Sequence, residues 1–279
     1  MGKYKNLYIG CSGFSYRDWK GTFYPSHIPE SEMIIYYEQF FNVVEINYTY
    51  YTMPHPYTFQ SFLEKTKRLR FAVKANQVFT HERNYTKEDV KKFIEGIKPL
   101  LEEEERFIAI LFQFPESFRY TPENLEYIKR LSLDFAGIDR VIEVRHRSFA
   151  NREFYEFVEE VGFSTLVNVD APKVKGLLIG PWVSVGTINY VRLHGRNKEK
   201  WHAHKEAYER YDYLYSIEEL EEIKEKILRI YEGKDTYVFF NNHYRGKGAL
   251  NALQLKELFG EEVKIPKGLL STFAPKLWE

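Results

Sequence analysis

The chain predicts an α/β fold: a single (β/α)8 TIM-like barrel of eight parallel strands, forming one domain over residues 1–279. Three observations lead there. Short runs rich in β-branched and aromatic residues alternate with helical patterns, the order a parallel sheet needs. There are eight such runs, enough to close a ring, and barrels of this kind commonly take about 250 residues as one domain. The first run leads into GCSGFSYRDW, which lacks the GxGxxG turn of a doubly wound sheet, the main rival.

Taken in order, the first strand is expected over 7–13, an apolar run closed by Gly13. A helical pattern at 31–41 leads to strand two, 43–51, and a second at 56–68 leads to strand three, 70–76. Thr86 before an acidic first turn starts the helix at 86–102. The acidic run at 102–105 opposes the helix dipole, so that helix is expected to stop near Leu101. Strand four follows at 107–115. Thr121-Pro122 reads as an N-cap with proline at the first helical position, opening 122–135. Strand five is 140–146, with a helix at 151–161 and strand six at 164–172. The link 173–187 has no clear helical pattern. Strand seven is 188–195. Ser216 and Glu219 fit a capping box for the helix at 216–232. Strand eight at 236–242 and a helix at 247–259 complete the series.

Composition narrows the function. Forty basic and forty acidic residues give a formal net charge of zero, whereas a general polyanion binder is usually basic overall. Any phosphate or nucleic-acid contact is therefore expected from a local patch. A lone cysteine, Cys11, offers neither an internal disulfide nor a cysteine zinc site. No run approaches the roughly 18–20 apolar residues of a membrane span, and the N-terminal apolar run is too short for a signal-peptide core. The expectation is a cytoplasmic protein without membrane association. The oligomeric state is open.

Strand parity then selects a site. Side chains alternate faces along a strand, and the face toward the outer helices must be apolar. Placing Val44 and Ile46 outward leaves Glu45, Asn47 and Tyr51 inward on strand two. Val73 and Ala75 outward leave Lys74 inward on strand three. Ile110 and Phe112 outward leave Gln113 on strand four. Ile142 and Val144 outward leave Glu143 and Arg145. On strand six, Val167 and Val169 are assigned outward, leaving Asn168 and Asp170. Val191 and Leu193 outward leave Arg192 and His194, and Val238 and Phe240 outward leave Asn241. These polar residues cluster toward the C-terminal halves of the strands, where barrel sites are built. Each buried charge costs several kcal/mol of desolvation that pairing seldom overcompensates. So many together point to a solvated pocket rather than a stabilising network, although Glu143–Arg145 and Asp170–Arg192 pairs would be the structural alternative.

The stretches CSGFSYRDWKGTFYP, VVEINYTYY, FAVKAN, LFQFPESF, IEVRHRSF, NVD, YVRLHGR and YVFFNNH together resemble the YecE-like family, known as domain of unknown function 72, over nearly the whole chain. The resemblance implies a TIM-like barrel and supplies no reaction. Phe14 and Phe149 stand where the family commonly has Trp, which keeps an aromatic wall.

The chemistry points to an enzyme acting on a phosphate-bearing or polyhydroxylated substrate, either nucleic-acid backbone or a sugar phosphate. Glu45, Glu143, Asp170 and His194 are the acid–base candidates. Lys74, Arg145 and Arg192 would hold the anion, with Asn47, Tyr51, Gln113 and Asn241 orienting it. Aromatics at the same end (Tyr16, Tyr48, Tyr50, and Trp201 and Tyr211 in the loop after strand seven) suit sugars or bases by stacking. Two other classes remain: a non-catalytic module for an anionic metabolite or nucleic acid, and a metal-dependent sugar isomerase. For the last, His146, His194 and His243 with Glu45, Glu143 and Asp170 are the candidate ligands of a divalent metal. His202 and His204 in WHAH read as solvated.

Overall fold

In a computed structural model that describes residues 4–273, the strand runs form a closed parallel ring. The strands are β1 (Leu7–Ser12), β2 (Val43–Ile46), β3 (Arg70–Lys74), β4 (Phe107–Gln113), β5 (Arg140–Glu143), β6 (Thr165–Leu166), β7 (Asn168–Asp170), β8 (Asn189–Leu193) and β9 (Thr236–Phe240). Their order is β6-β5-β4-β3-β2-β1-β9-β8-β7, all neighbours parallel. The two ends of that order are halves of expected strand six, separated by Val167 alone. The ring therefore closes through the covalent chain, with eight positions around it.

The split has a visible cause. β6 pairs with β5, but at the next level the segment around residues 176–180 enters between strands five and six. Leu178 donates its N–H to Arg145 O at 2.7 Å, and Val169 and Gly180 exchange backbone hydrogen bonds at 2.7 and 2.8 Å. This link lacks a helix, as expected, and its backbone instead fills the upper gap of the barrel wall.

The helices α1 (Met33–Glu38), α2 (Pro56–Lys65), α3 (Lys87–Glu102), α4 (Pro122–Asp134), α5 (Arg152–Glu160), α6 (Ile217–Tyr231) and α7 (Lys247–Leu258) fall where the sequence places them, and α8 (Lys267–Phe273) follows unanticipated. Their starts follow the expected chemistry. Thr86 with Asp89 and Ser216 with Glu219 form reciprocal capping boxes on α3 and α6. Thr121 Oγ1 accepts from Asn124 N on α4, with Pro122 at the first turn. α3 ends at Glu102, in line with the expected stop near Leu101.

Parity sorts the core into two shells. Ile9, Val44, Val73, Phe112, Ile142, Val191 and Val238 pack against Phe93, Ile97, Leu131, Ile223 and Leu253 of the helices. Inside the ring, Val43, Ala72, Ala109, Leu111, Val141, Tyr190 and Phe239 form a second cluster. Val167 and Val169 belong to this inner cluster, so strand six presents the opposite face to the one expected. Asn168 and Asp170 consequently point away from the lumen. There the irregular link 173–187 and the loop after β8 pack on the outer flank. Asn168 bonds the backbone of Val183 in both directions at 2.9 Å, supplying the polar partners that an irregular segment needs.

Candidate functional site

Above the apolar layer of the lumen, the inner register delivers a buried ionic network at the C-terminal ends of the strands. Arg192 on β8 lies at its centre. Its Nε and Nη2 form a fork onto Glu45 Oε2 and Oε1 at 3.0 and 2.7 Å, and its Nη1 reaches Glu143 Oε2 at 2.6 Å. Tyr190 donates its hydroxyl to Glu45 Oε2 at 2.7 Å. Arg145 Nε donates to Glu143 Oε1 at 2.9 Å. His194 places Nε2 3.4 Å from that same oxygen. Asn241 Nδ2 lies 2.9 Å from His194 Nδ1, so Nδ1 accepts and the proton of the neutral ring sits on Nε2, facing Glu143. Lys74 Nζ donates to Gln113 Oε1 at 2.9 Å and lies 4.3 Å from the centre of the Tyr50 ring.

The electrostatics follow from these contacts. Burial by itself would raise both carboxyls, but the Arg192 charge outweighs it. Glu45 is held below the usual carboxylate range, and Glu143, with Arg145 as a second cation, well below it. Burial pushes His194 down to about 4. Burial, followed by the charges of Arg192 and Arg145, brings Lys74 down to about 7. At Tyr211, burial raises the hydroxyl, yet Arg145, Arg210 and Arg192 together leave it below the ordinary phenol value.

A cavity of about 560 Å³ opens over this network, and Lys74, Arg145, Arg192, Asn47 and Asn241 contribute to its floor. Phe14, Tyr16, Tyr50 and His243 line its walls, with Tyr16 and His243 stacked at 4.5 Å. The loop over residues 196–215 closes one side, bringing in Glu206, Tyr208 and Tyr211. Trp201 of that loop is buried in the inner cluster. A second cavity of about 340 Å³ adjoins the first, sharing Tyr50, Tyr51, Lys74, Arg145 and Tyr211 with it. Asn47 Oδ1 and His243 Nδ1 are buried with no hydrogen-bond partner among the described residues.

Several expectations change here. Asp170 is not part of the network. Its Oδ1 accepts from Arg196 Nε and from the Tyr215 hydroxyl, both at 2.9 Å, and its Oδ2 from Arg196 Nη2 at 2.8 Å. It anchors the root of the 196–215 loop, and the suggested Asp170–Arg192 pair does not form. Glu45, Glu143 and His194 are in the lumen as expected, but as acid–base candidates they are bound up in one another. Glu45 and Glu143 are fully buried with their oxygens occupied, and both His194 nitrogens face partners. Strand two ends at Ile46 and turns into a 3-10 segment, Tyr48–Tyr50, so Tyr51 has no inward parity. It is 74% exposed at the rim, where it still borders both cavities. Phe149 packs on Phe118 and Phe154 outside the lumen; Phe14 alone of the two substituted aromatics forms cavity wall. The candidate metal ligands do not converge: among the described residues no three His, Cys, Asp or Glu side chains form a metal-holding group. Lys74, Gln113, Arg145, Arg192, Asn47 and Asn241 are where parity places them. Tyr211 lines the cavity, as the aromatic composition of the loop suggests, whereas the role of Arg196 has no signal in the sequence, since it lies on an irregular loop with no register to read.

The family model described as Protein of unknown function DUF72 matches residues 8–276. The chain belongs to the DUF72 family. The YecE-like resemblance is to this same family. UPF0759 protein YunF of Bacillus subtilis is 29% identical to this DUF72 chain over 92% of its length and 95% of YunF. A DUF72 family protein from Thermotoga maritima, known by crystal structure, is 40% identical, with a TM-score of 0.84 over 91% of this chain and 99% of that one. A second crystal structure, of a DUF72 family protein from Enterococcus faecalis, is 25% identical with a TM-score of 0.79, covering 92% and 97%. The two solved relatives share the fold of this DUF72 protein.

Proposed function

We propose that this DUF72 protein is an enzyme that binds a small polyhydroxylated anion, a sugar phosphate in its concrete form, in the cavity at the C-terminal ends of the strands. One observation carries the reading: three basic side chains, Lys74, Arg145 and Arg192, line one cavity, and the two carboxylates buried beneath it, Glu45 and Glu143, are already committed to the arginines. The carboxylates hold the guanidinium groups in place, and an incoming phosphate or carboxylate meets the cationic side of the assembly. Asn47 and Asn241 stand beside it to bond hydroxyl groups, and the unpartnered Asn47 Oδ1 is a ready acceptor. Tyr16, Tyr50 and His243 supply flat apolar faces for a sugar ring.

In this reading Glu45, Glu143 and His194 position the cations. Proton exchange with the substrate falls to Lys74 and Tyr211, which border the cavity and whose affinities for a proton are moved toward neutrality. Asp170 acts through Arg196 on the loop that carries Tyr211. A sugar phosphate fits the cavity's volume and the chain's zero net charge better than an extended nucleic-acid backbone.

Calorimetric titration with ribose, ribose 5-phosphate and inorganic phosphate tests this. Ribose 5-phosphate is expected to bind at least about tenfold more tightly than ribose, a difference of about 1.4 kcal/mol, and Arg145→Gln to remove that preference. Equal affinity for the sugar and its phosphate would sink the reading.

A further inference from the structure

We propose that Lys74 is an amine nucleophile that forms an imine with an aldehyde or ketone carbonyl on the substrate. The inference rests on the anion-binding reading of the cavity and names the substrate class as an anionic carbonyl compound. Its basis is the way Lys74 is held. The acids that would ordinarily keep a buried lysine as an ammonium ion, Glu45 and Glu143, are taken up by Arg192 and Arg145. Lys74 has no ion-pair partner among the described residues. Its one polar contact, to Gln113 Oε1, fixes its direction, and Gln113 is itself pinned by donating Nε2 to Phe114 O at 2.8 Å. Lys74 lines both cavities and so lies where the two meet. Burial and the two neighbouring guanidinium groups bring its proton affinity to about 7, so near neutral pH about half the population carries a free lone pair.

The chemistry balances without an added oxidant or reductant. The Nζ lone pair attacks the carbonyl carbon, and the C=O π pair moves to oxygen. Proton transfer from nitrogen to oxygen gives a carbinolamine. Water then leaves with the carbonyl oxygen, and loss of the remaining nitrogen proton to solvent balances the one taken up by the leaving hydroxyl, leaving C=N. Arg145 and Arg192 beside Nζ would hold a phosphate or carboxylate borne on the same molecule.

The test is reductive trapping on the intact protein at pH 7. Glyceraldehyde 3-phosphate and uncharged glyceraldehyde serve as parallel probes, cyanoborohydride reduces any imine, and peptide mass spectrometry assigns the labelled lysines. With the phosphate-bearing probe, Lys74 is expected to label at least about tenfold faster than the average exposed lysine, which is almost wholly protonated at that pH. Inorganic phosphate should slow that labelling. Lys74→Met should remove that one adduct and leave the surface adducts in place. If Lys74 labels no faster than exposed lysines with either probe, the imine is overturned. Fast labelling by both aldehydes, with no preference for the phosphate and no protection by inorganic phosphate, would overturn the anion-binding reading and leave the reactive amine standing.

Discussion

Arg192 shows how one residue can decide what its neighbours do. Its guanidinium engages two carboxylates from opposite parts of the ring, and each is more acidic for it. Removing one partner of such a buried set leaves an uncompensated charge, which costs about 3–5 kcal/mol. Glu143→Gln is therefore expected to lower the unfolding free energy by that order, measured by denaturant titration. A loss below about 1 kcal/mol would show that the network is more solvated than its geometry states. Lys74 behaves in the opposite sense. Its folded-state value of about 7 lies below its ordinary value of 10.5. Between those two the unfolded chain binds the extra proton, so this residue makes stability rise with pH from about 7 upward. Lys74→Met should abolish that rise and stabilise the protein at pH 6, as apolar replacement of a buried charge often does. Unfolding curves at pH 6 and pH 9 for both forms would check it. His194, His81 and His243 are each pushed down to about 4 by burial. Unfolded histidines protonate near 6.5, so the folded state should lose stability as pH falls from about 6.5 to 4. The depressed carboxyl of Glu143 deepens that loss at lower pH. A flat melting temperature from pH 7 to 4.5 would contradict the burial of these rings.

The loop over 196–215 is the element on which the site depends most and of which the strand pattern says least. Its root is set by Gly195, which has φ of +85° and room for no Cβ: one built there would lie 2.6 Å from Tyr213 Cβ. Gly195 N also donates to the Tyr215 hydroxyl, which in turn bonds Asp170. Gly195→Ala is expected to displace Tyr211 from the cavity. Ligand affinity should fall by about tenfold or more while the barrel's unfolding free energy changes by no more than about 1–3 kcal/mol, the scale of local backbone strain. Calorimetry with ribose 5-phosphate, paired with denaturant unfolding, separates the two effects. Secondary structure elsewhere was readable because its signals are local. Thr86, Thr121 and Ser216 each mark a helix start by a side chain that bonds a nearby backbone N–H. Strand two is shorter than its composition suggests because Tyr48–Tyr50 keeps the aromatic, β-favouring character of a strand while its backbone turns.

For the molecule as a whole, the balance of forty basic and forty acidic residues bears on nucleic acid. With the proposed cations confined to a cavity, only a few phosphates could be neutralised at once. DNA retention is expected to be weak, and its salt dependence shallow, with a slope of about −3 or less steep in log–log form. A slope near −6 to −10 would require a basic surface that the cavity does not supply. No helix among the described residues is long and apolar enough to cross a membrane.

Eight strand runs alternating with helical patterns determined the parallel ring, and alternating polarity put Glu45, Lys74, Gln113, Glu143, Arg145, Arg192 and His194 on its inside, because a strand's two faces are fixed once one must be apolar. Tertiary structure decided the rest. The lower lumen proved as apolar as the outer shell, so on strand six Val167 and Val169 satisfied either side. On its outer flank the irregular link at Val183 and the loop residues Arg196 and Tyr215 supplied the polar partners that claimed Asn168 and Asp170. Sequence names which charges share a space; only their distances reveal that the acids are bound to the arginines and that the lysine is not.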